Sequence, residues 1–350
     1  MRDDRNRMDR RSFVRTAALA AGALATAEGS RAAAPAADVK IGLYSITYGG
    51  VWYRGDALTV EQVIGRAKRF GYQGVEIDGK RPHGNPLDVP KARCQMLRKM
   101  AADQGIEIYG VAANNDFSSP IPEHREAQLL YLRELMRMSA DLGAKVMRVF
   151  LAWPGVTMVP EGGSRYDLAQ AAWKAEHLGF TAEQTWAWCS QSLVEAARMA
   201  GEFGITLALQ NHPPVIDRGY LDTLRMAKEV GSPHLKVCFD ARLEHSLDEA
   251  GVRKALNEVG ALQTLWHWGG EYDRGPGGIT LKGDEKCLGE TLGLLDIGYN
   301  GWAGFELCHP LPMVNGKTVG VEFVDKNAQL AAEYLRGILA EARKQHASKG

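Results

Sequence analysis

The amino-acid sequence predicts a single (β/α)8 barrel, and three observations lead there. Eight short β-rich runs alternate with eight long amphipathic stretches from Val39 onward, the order that parallel strands joined by helical crossovers require. Roughly 310 residues carry the eight units, an ordinary size for an α/β barrel. No G-x-G-x-x-G turn follows the first run, which counts against an open doubly wound sheet. The 350 residues are 45% apolar and 24% charged, enough for a large core and too apolar for a disordered chain.

The strand candidates, in order, are Lys40–Tyr48, Gly74–Asp78, Glu107–Ala112, Lys145–Ala152, Thr206–Asn211, Leu235–Asp240, Thr264–Gly269 and Ala303–Cys308. The helix candidates between them are Val60–Phe70, Pro90–Gln104, Pro122–Leu142, Ala182–Phe203, Tyr220–Val230, Asp248–Val259, Glu285–Asp296 and Val321–Lys344. Each helix candidate repeats apolar residues at i, i+3, i+4 and i+7. Glycines before Ile205 and before Lys145 stand where a left-handed helix cap is expected. The connection from Pro154 to Thr181 is too long for a plain loop. It follows the fourth strand, so it is expected to rise over the active face as a lid.

Residues 1–36 stand apart from this pattern. Arg10-Arg11-Ser12-Phe13-Val14 precedes an apolar run from Thr16 to Ala27 and an Ala34-Pro35-Ala36 site. That order describes a twin-arginine-type secretory signal, with the barrel over 37–350. The expected location is periplasmic or exported, with no membrane attachment in the mature form. Removing the leader leaves 35 basic against 38 acidic residues, so no positive field favours nucleic acid. Cys94, Cys189, Cys238, Cys287 and Cys308 are widely spaced and show no CxxC pattern, and no disulfide framework is expected. The oligomeric state stays open, a homo-oligomer included.

Chemistry gathers at the carboxyl ends of the strand runs, where barrel active sites lie. Gln210, Asp240, His267 and Glu306 close the fifth to eighth runs. Neighbouring strands are ~4.8 Å apart, so four such side chains at one level converge on a single cation. Oxygen donors with one imidazole suit a divalent metal ion, Mn²⁺ first, with Mg²⁺, Co²⁺, Fe²⁺ or Zn²⁺ as alternatives. His212 stands two positions beyond Gln210 and faces the same side. Glu76 is expected in the polar layer, a catalytic group beside His212 and Glu306. His83, Asn114, Trp153, His212, Glu271 and Arg274 are the expected substrate contacts.

On these residues the chain resembles the xylose-isomerase-like TIM barrel superfamily, the sugar phosphate isomerase/epimerase group that includes ketose 3-epimerases, hydroxypyruvate isomerases and inosose dehydratases. The resemblance covers about residues 38–340. It implies metal ligands Glu, Asp, His and Glu at the ends of strands five to eight. Asp240, His267 and Glu306 match, and Gln210 departs. The stretch His267-Trp-Gly-Gly-Glu271-Tyr-Asp-Arg274 resembles the epimerases' segment after their metal histidine, which implies Glu271 and Arg274 near substrate. Ketose epimerases use both Glu ligands as acid and base, and an amide takes up no proton at neutral pH. Another group is therefore needed as base, from His212, Glu76, Asp78, His83, His245 and Glu271.

The function expected is a divalent-metal-dependent isomerase or epimerase moving a proton next to the carbonyl of a sugar or other hydroxy-carbonyl compound. A lyase or dehydratase on a keto-sugar or keto-glycoside is the alternative, and a non-catalytic sugar-binding barrel the third reading. An endonuclease IV-like site would need ligands from strands two to four, and the third and fourth runs end without them.

Overall fold

The computed structural model describes residues 37–158, 164–283 and 286–348. The expected leader lies outside the described residues. Eight parallel strands close on themselves: β1 (Val39–Tyr44), β2 (Gly74–Asp78), β3 (Glu107–Ala112), β4 (Val146–Val149), β5 (Thr206–Gln210), β6 (Leu235–Phe239), β7 (Gln263–Gly269) and β8 (Gly301–Glu306), which pairs back to β1. The crossovers are helices α1 (Val60–Phe70), α2 (Lys91–Asp103), α3 (Pro122–Leu142), α4 (Ala182–Phe203), α5 (Tyr220–Val230), α6 (Glu249–Val259), α7 (Cys287–Asp296) and α8 (Val321–Ala347). Thr59 and Thr181 open α1 and α4 with reciprocal bonds to Gln62 and Gln184, satisfying orphan donors of the first turn. Gly143 and Gly204 close α3 and α4 at φ 86° and 65°, as their position before Lys145 and Ile205 predicts.

Two elements differ from expectation. Residues Ser45–Tyr48 leave the sheet as a 3-10 turn, and the fourth strand stops at Val149 because its end feeds the long connection. That connection is not bare loop: it carries a short hairpin, Thr157–Met158 with Ser164–Arg165, and a helix over Tyr166–Glu176. The helix is tied to the rim by bonds of Trp173 Nε1 to Ser118 Oγ (2.8 Å) and of His177 Nε2 with the Ser118 carbonyl (2.9 Å). A second hairpin, Glu271–Gly275 with Gly278–Lys282, follows β7.

Alternation along each strand builds the barrel interior in layers. The lowest is apolar: Tyr109, Ala208, Cys238, Leu265 and Trp302 pack together, with Tyr109 stacked on Trp302 at 4.3 Å. Gly304 admits this plug, since a Cβ there would meet the Tyr109 hydroxyl at 2.7 Å. Two residues beyond Ala208, Cys238 and Leu265 the interior turns polar with Gln210, Asp240 and His267, and this second layer floors the site. Cys94, Cys189, Cys238 and Cys308 are free thiols.

Candidate active site

The C-terminal mouth of the barrel opens into a cavity of about 180 Å³, lined among others by Tyr44, Lys80, Asn114, Arg148, Trp153, Tyr166, Gln210, His212, Asp240, Arg242, Glu306 and His309. At ~30 Å³ per water that is room for about six waters, the scale of a small polar molecule. A wider hollow of about 550 Å³ lies at the opposite end, between Lys40, Gln73, Glu107 and Trp302. It collects strand N-termini and holds no comparable group of charges.

The four strand-end residues do converge. Gln210 Nε2 donates to Asp240 Oδ2 at 3.1 Å, and His267 Nδ1 lies 3.8 Å from Glu306 Oε2. Two arginines that sequence reasoning missed stand among them. Arg148, from β4, donates through Nη1 to Gln210 Oε1 (2.8 Å) and through Nη2 to the Tyr44 hydroxyl (3.0 Å). Its guanidinium lies over the Phe150 ring at 4.3 Å. Arg242 follows Asp240 in a 3-10 turn whose first free N–H the Asp240 carboxylate caps at 3.1 Å. Its Nη2 reaches Asp240 Oδ2 (2.9 Å) and Glu306 Oε1 (2.5 Å), clamping the two carboxylates together. Burial alone would raise the Glu306 pKa, but Arg242, then His267 and Arg148, pull it down to about 2. Glu306 is therefore an anion at any physiological pH and a weak base.

His212 is the side chain free to act. Its Nδ1 is held against the Pro213 carbonyl. Burial depresses its pKa below the ordinary 6.5, opposed by that carbonyl and assisted by Arg148. A neutral ring with Nδ1 against a carbonyl carries its proton there, so Nε2 keeps a lone pair. Among the described residues Nε2 has no hydrogen-bond partner, and the ring sits edge-on to Phe150 and Trp153, 5.1 Å from each. Tyr166 of the long connection closes the same wall at 5.9 Å from Trp153.

The remaining expected site residues divide. Asn114 and Trp153 line the cavity, and Asn114 donates to Asp78 Oδ1 at 2.8 Å. Glu76 is buried below the floor, where its Oε2 meets His267 Nε2 (2.8 Å) and accepts from Tyr109 (3.3 Å). It orients His267 rather than touching substrate, a correction to its expected catalytic place. His83 is not at the cavity either, because its Nε2 turns to the Leu58 carbonyl at 2.9 Å. Nor do Glu271 and Arg274 reach it. Glu271 stands behind the lining, against His309 of the cavity wall (3.3 Å), while the hairpin after β7 carries Arg274 outward to Glu333 on α8 (2.5 Å). His245 is exposed beyond the 3-10 turn.

The donor set does not fit a resident divalent ion as it stands. Only His267 keeps the geometry of a ligand, with Glu76 on one nitrogen and the buried Nδ1 unpartnered. Guanidinium groups engage the Gln210 amide oxygen, both Asp240 oxygens and Glu306 Oε1, which leaves Glu306 Oε2 facing His267 Nδ1. No cluster of three His, Cys, Asp or Glu side chains among the described residues is arranged to hold a metal.

A family model described as xylose isomerase-like TIM barrel matches residues 64–262. The chain belongs to that family. Its barrel superposes on D-psicose 3-epimerase solved in the presence of D-fructose, with a TM-score of 0.65 at 18% identity over 86% of this chain and 99% of that one. It superposes on the 3-keto-D-glucoside 4-epimerase of E. coli with a TM-score of 0.60 at 18% identity, covering 86% and 100%. The D-allulose 3-epimerase of Methylomonas sp., in complex with D-allulose, gives 0.61 at 17% identity, covering 87% and 99%. No curated protein matches. At these identities the likeness to solved structures speaks for the fold. Within the xylose isomerase-like barrel of this chain, Arg148 and Arg242 stand among the strand-end residues Gln210, Asp240 and Glu306. Arg148 had one signal in the sequence, a charge in the otherwise apolar run Val146–Leu151.

Proposed function

We propose that this xylose isomerase-like barrel is a sugar isomerase or epimerase that moves a proton at the carbon next to a carbonyl, with His212 as the base. The observation that carries the reading is the free Nε2 of a neutral imidazole, in one small cavity with two guanidinium groups and a lysine. A base with a depressed pKa is unprotonated near neutral pH, as α-proton abstraction needs. His212 Nε2 takes the proton, and the electron pair moves toward the carbonyl oxygen. Arg148 has N–H groups to spare beyond Gln210 and Tyr44, and with Lys80 it faces the negative charge that develops there. For isomerisation His212 then delivers that proton to the adjacent carbon while the enediol hydroxyl proton passes to the former carbonyl oxygen, so the carbonyl moves by one carbon. For epimerisation a second acid, for which Lys80 lines the same cavity, delivers a proton to the opposite face of the same carbon. Trp153 and Tyr166 wall the apolar side of a sugar ring.

The ligand types at Gln210, Asp240, His267 and Glu306 would suggest a divalent cofactor, manganese first. The arrangement around Arg148 and Arg242 does not fit one, and no step here passes through it. Gln210 in place of a second carboxylate favours chemistry on one face of the substrate. That feature also supports the second reading, a lyase that expels a leaving group from the carbon beyond the enolised one. If residues 1–36 act as an export signal, the substrate is a free sugar, keto-sugar or glycoside rather than a sugar phosphate.

The test is incubation of the purified protein in D₂O with unphosphorylated aldoses, ketoses and 3-keto-glycosides, followed by proton NMR and product mass. Isomerisation or epimerisation gives one deuterium on the carbon next to the carbonyl and no other mass change. Loss of water or of an aglycone assigns the lyase. Binding of sugars with no exchange at any position overturns both and leaves a binding protein.

A further inference from the structure

We infer that Arg242 is a built-in cation, a guanidinium seated between Asp240 and Glu306 so that the site works without a resident divalent ion. Three independent features of the chain point there. The first is the clamp: Nε and Nη2 of Arg242 reach Asp240 at 3.2 and 2.9 Å, while Nη2 reaches Glu306 at 2.5 Å. One planar donor fork thus joins carboxylates from β6 and β8, a geometry that suits Arg and no other side chain. The second is Gly269, the register partner of Glu306 on β7. A Cβ at Gly269 would stand 2.1 Å from Arg242 Nη1 and 2.3 Å from the Glu306 carbonyl. The Glu306 carbonyl is the contact that cannot give way and requires glycine there, and the guanidinium occupies the space the missing side chain leaves.

The third is Gln210. Its amide offers an oxygen to Arg148 and a nitrogen to Asp240. A glutamate at this position would serve Arg148 but face Asp240 with a second negative charge. The amide is thus the side chain that joins a guanidinium to a carboxylate already neutralised by another guanidinium. Charge agrees with geometry. Asp240 and Glu306 carry two negative charges against two positive ones on Arg148 and Arg242, while Glu76 is engaged by His267. A divalent ion added to this set would meet two like charges at close range, the buried Arg148 and the half-buried Arg242.

The chemical consequence concerns how an oxyanion is held. A guanidinium stabilises it by hydrogen bonds and charge, with donors already fixed in direction by Asp240 and Glu306. The inference stands on the site's own contacts and does not depend on which proton transfer the site performs. Its readout is accordingly binding rather than turnover.

The full chain is titrated with MnCl₂ by calorimetry, and its melting temperature is followed with Mn²⁺, Mg²⁺, Co²⁺, Zn²⁺ and EDTA. The expected result is no saturable Mn²⁺ binding and a melting temperature that EDTA leaves unchanged. The double variant Gln210→Glu/Arg242→Ala restores a carboxylate and vacates the clamp, and it gains one Mn²⁺ per chain with at least a tenfold rise in affinity. Saturable binding of one Mn²⁺ per wild-type chain, or a melting temperature lowered by EDTA, overturns the inference. So does a folded double variant that still ignores the metal. Should the double variant not fold, the wild-type titration decides alone.

Discussion

Replacing Arg242 by alanine leaves Asp240 and Glu306 facing each other across the cavity mouth, with side chains only 2% and 12% exposed. The magnitude follows from two directions. The fall of the Glu306 pKa from 4.5 to about 2 corresponds to ~3 kcal/mol of folded-state stabilisation of the carboxylate, of which Arg242 supplies the largest favourable part. Breaking a fully buried ion pair costs ~3–5 kcal/mol, and the 31% exposure of the Arg242 side chain softens that. Together they predict a loss of ~2–3 kcal/mol at pH 7, a drop in Tm of ~3–5 °C for a domain of roughly 310 residues. The pH dependence has a definite sign. A carboxylate whose folded pKa is depressed contributes stability that is complete above its unfolded value near 4.5 and disappears as pH falls toward 2. The deficit of Arg242→Ala is therefore largest between pH 6 and 8 and shrinks below pH 4.5. Calorimetric melting of wild type and variant from pH 3 to pH 8 measures both. A Tm shift below ~1 °C at pH 7, or one that does not change with pH, refutes the clamp as described.

Three further outcomes are expected. Trp153→Ala removes a cavity wall and raises KM for the sugar by ~2–10-fold, the scale of one aromatic contact, with kcat less affected in steady-state assays. Asp296→Asn breaks the fork from Arg253 on α6 (2.5 and 2.7 Å). Burial opposes ionisation of Asp296, but the Arg253 bonds outweigh it and depress its pKa, so the variant melts lower than wild type at pH 7 and the difference fades as pH falls below ~4. Gly219→Ala places a Cβ 2.2 Å from Glu244 Oε2 at a φ of 54°, where Glu244 accepts from Tyr220 N and from Asn211. It should cost ~1–3 kcal/mol by denaturant unfolding, and equal stability would show that the α5 entrance tolerates a side chain.

Most of the barrel was legible because its two periods are physical: apolar runs of strand length, then faces at helical spacing, ended by glycines such as Gly143 and Gly204. Asp240, His267 and Glu306 were legible for a related reason, since a polar side chain closing an apolar strand has no ordinary place in a core. Arg148 was hidden because one charge inside Val146–Leu151 looks like noise until alternation is applied. Val146, Arg148 and Phe150 share one face, and that face points into the barrel. Arg242 was hidden because its role depends on a 3-10 turn that folds it back over Asp240, which no periodicity marks. Glu271 and Arg274 were misplaced for the opposite reason. Their spacing after His267 matched a familiar segment, but residues Glu271–Lys282 form a hairpin whose two strands pair with each other and whose first strand leans on α8.

The proposed activity depends on proton abstraction by His212. Deuterium wash-in from D₂O into a turned-over ketose, measured for wild type and His212→Asn at matched sugar occupancy, tests that claim most directly. Wild type should exchange the hydrogen next to the carbonyl, and His212→Asn should bind the sugar while losing exchange by ~10²–10⁴-fold. Exchange by His212→Asn at the wild-type rate would place the base elsewhere and contradict the mechanism.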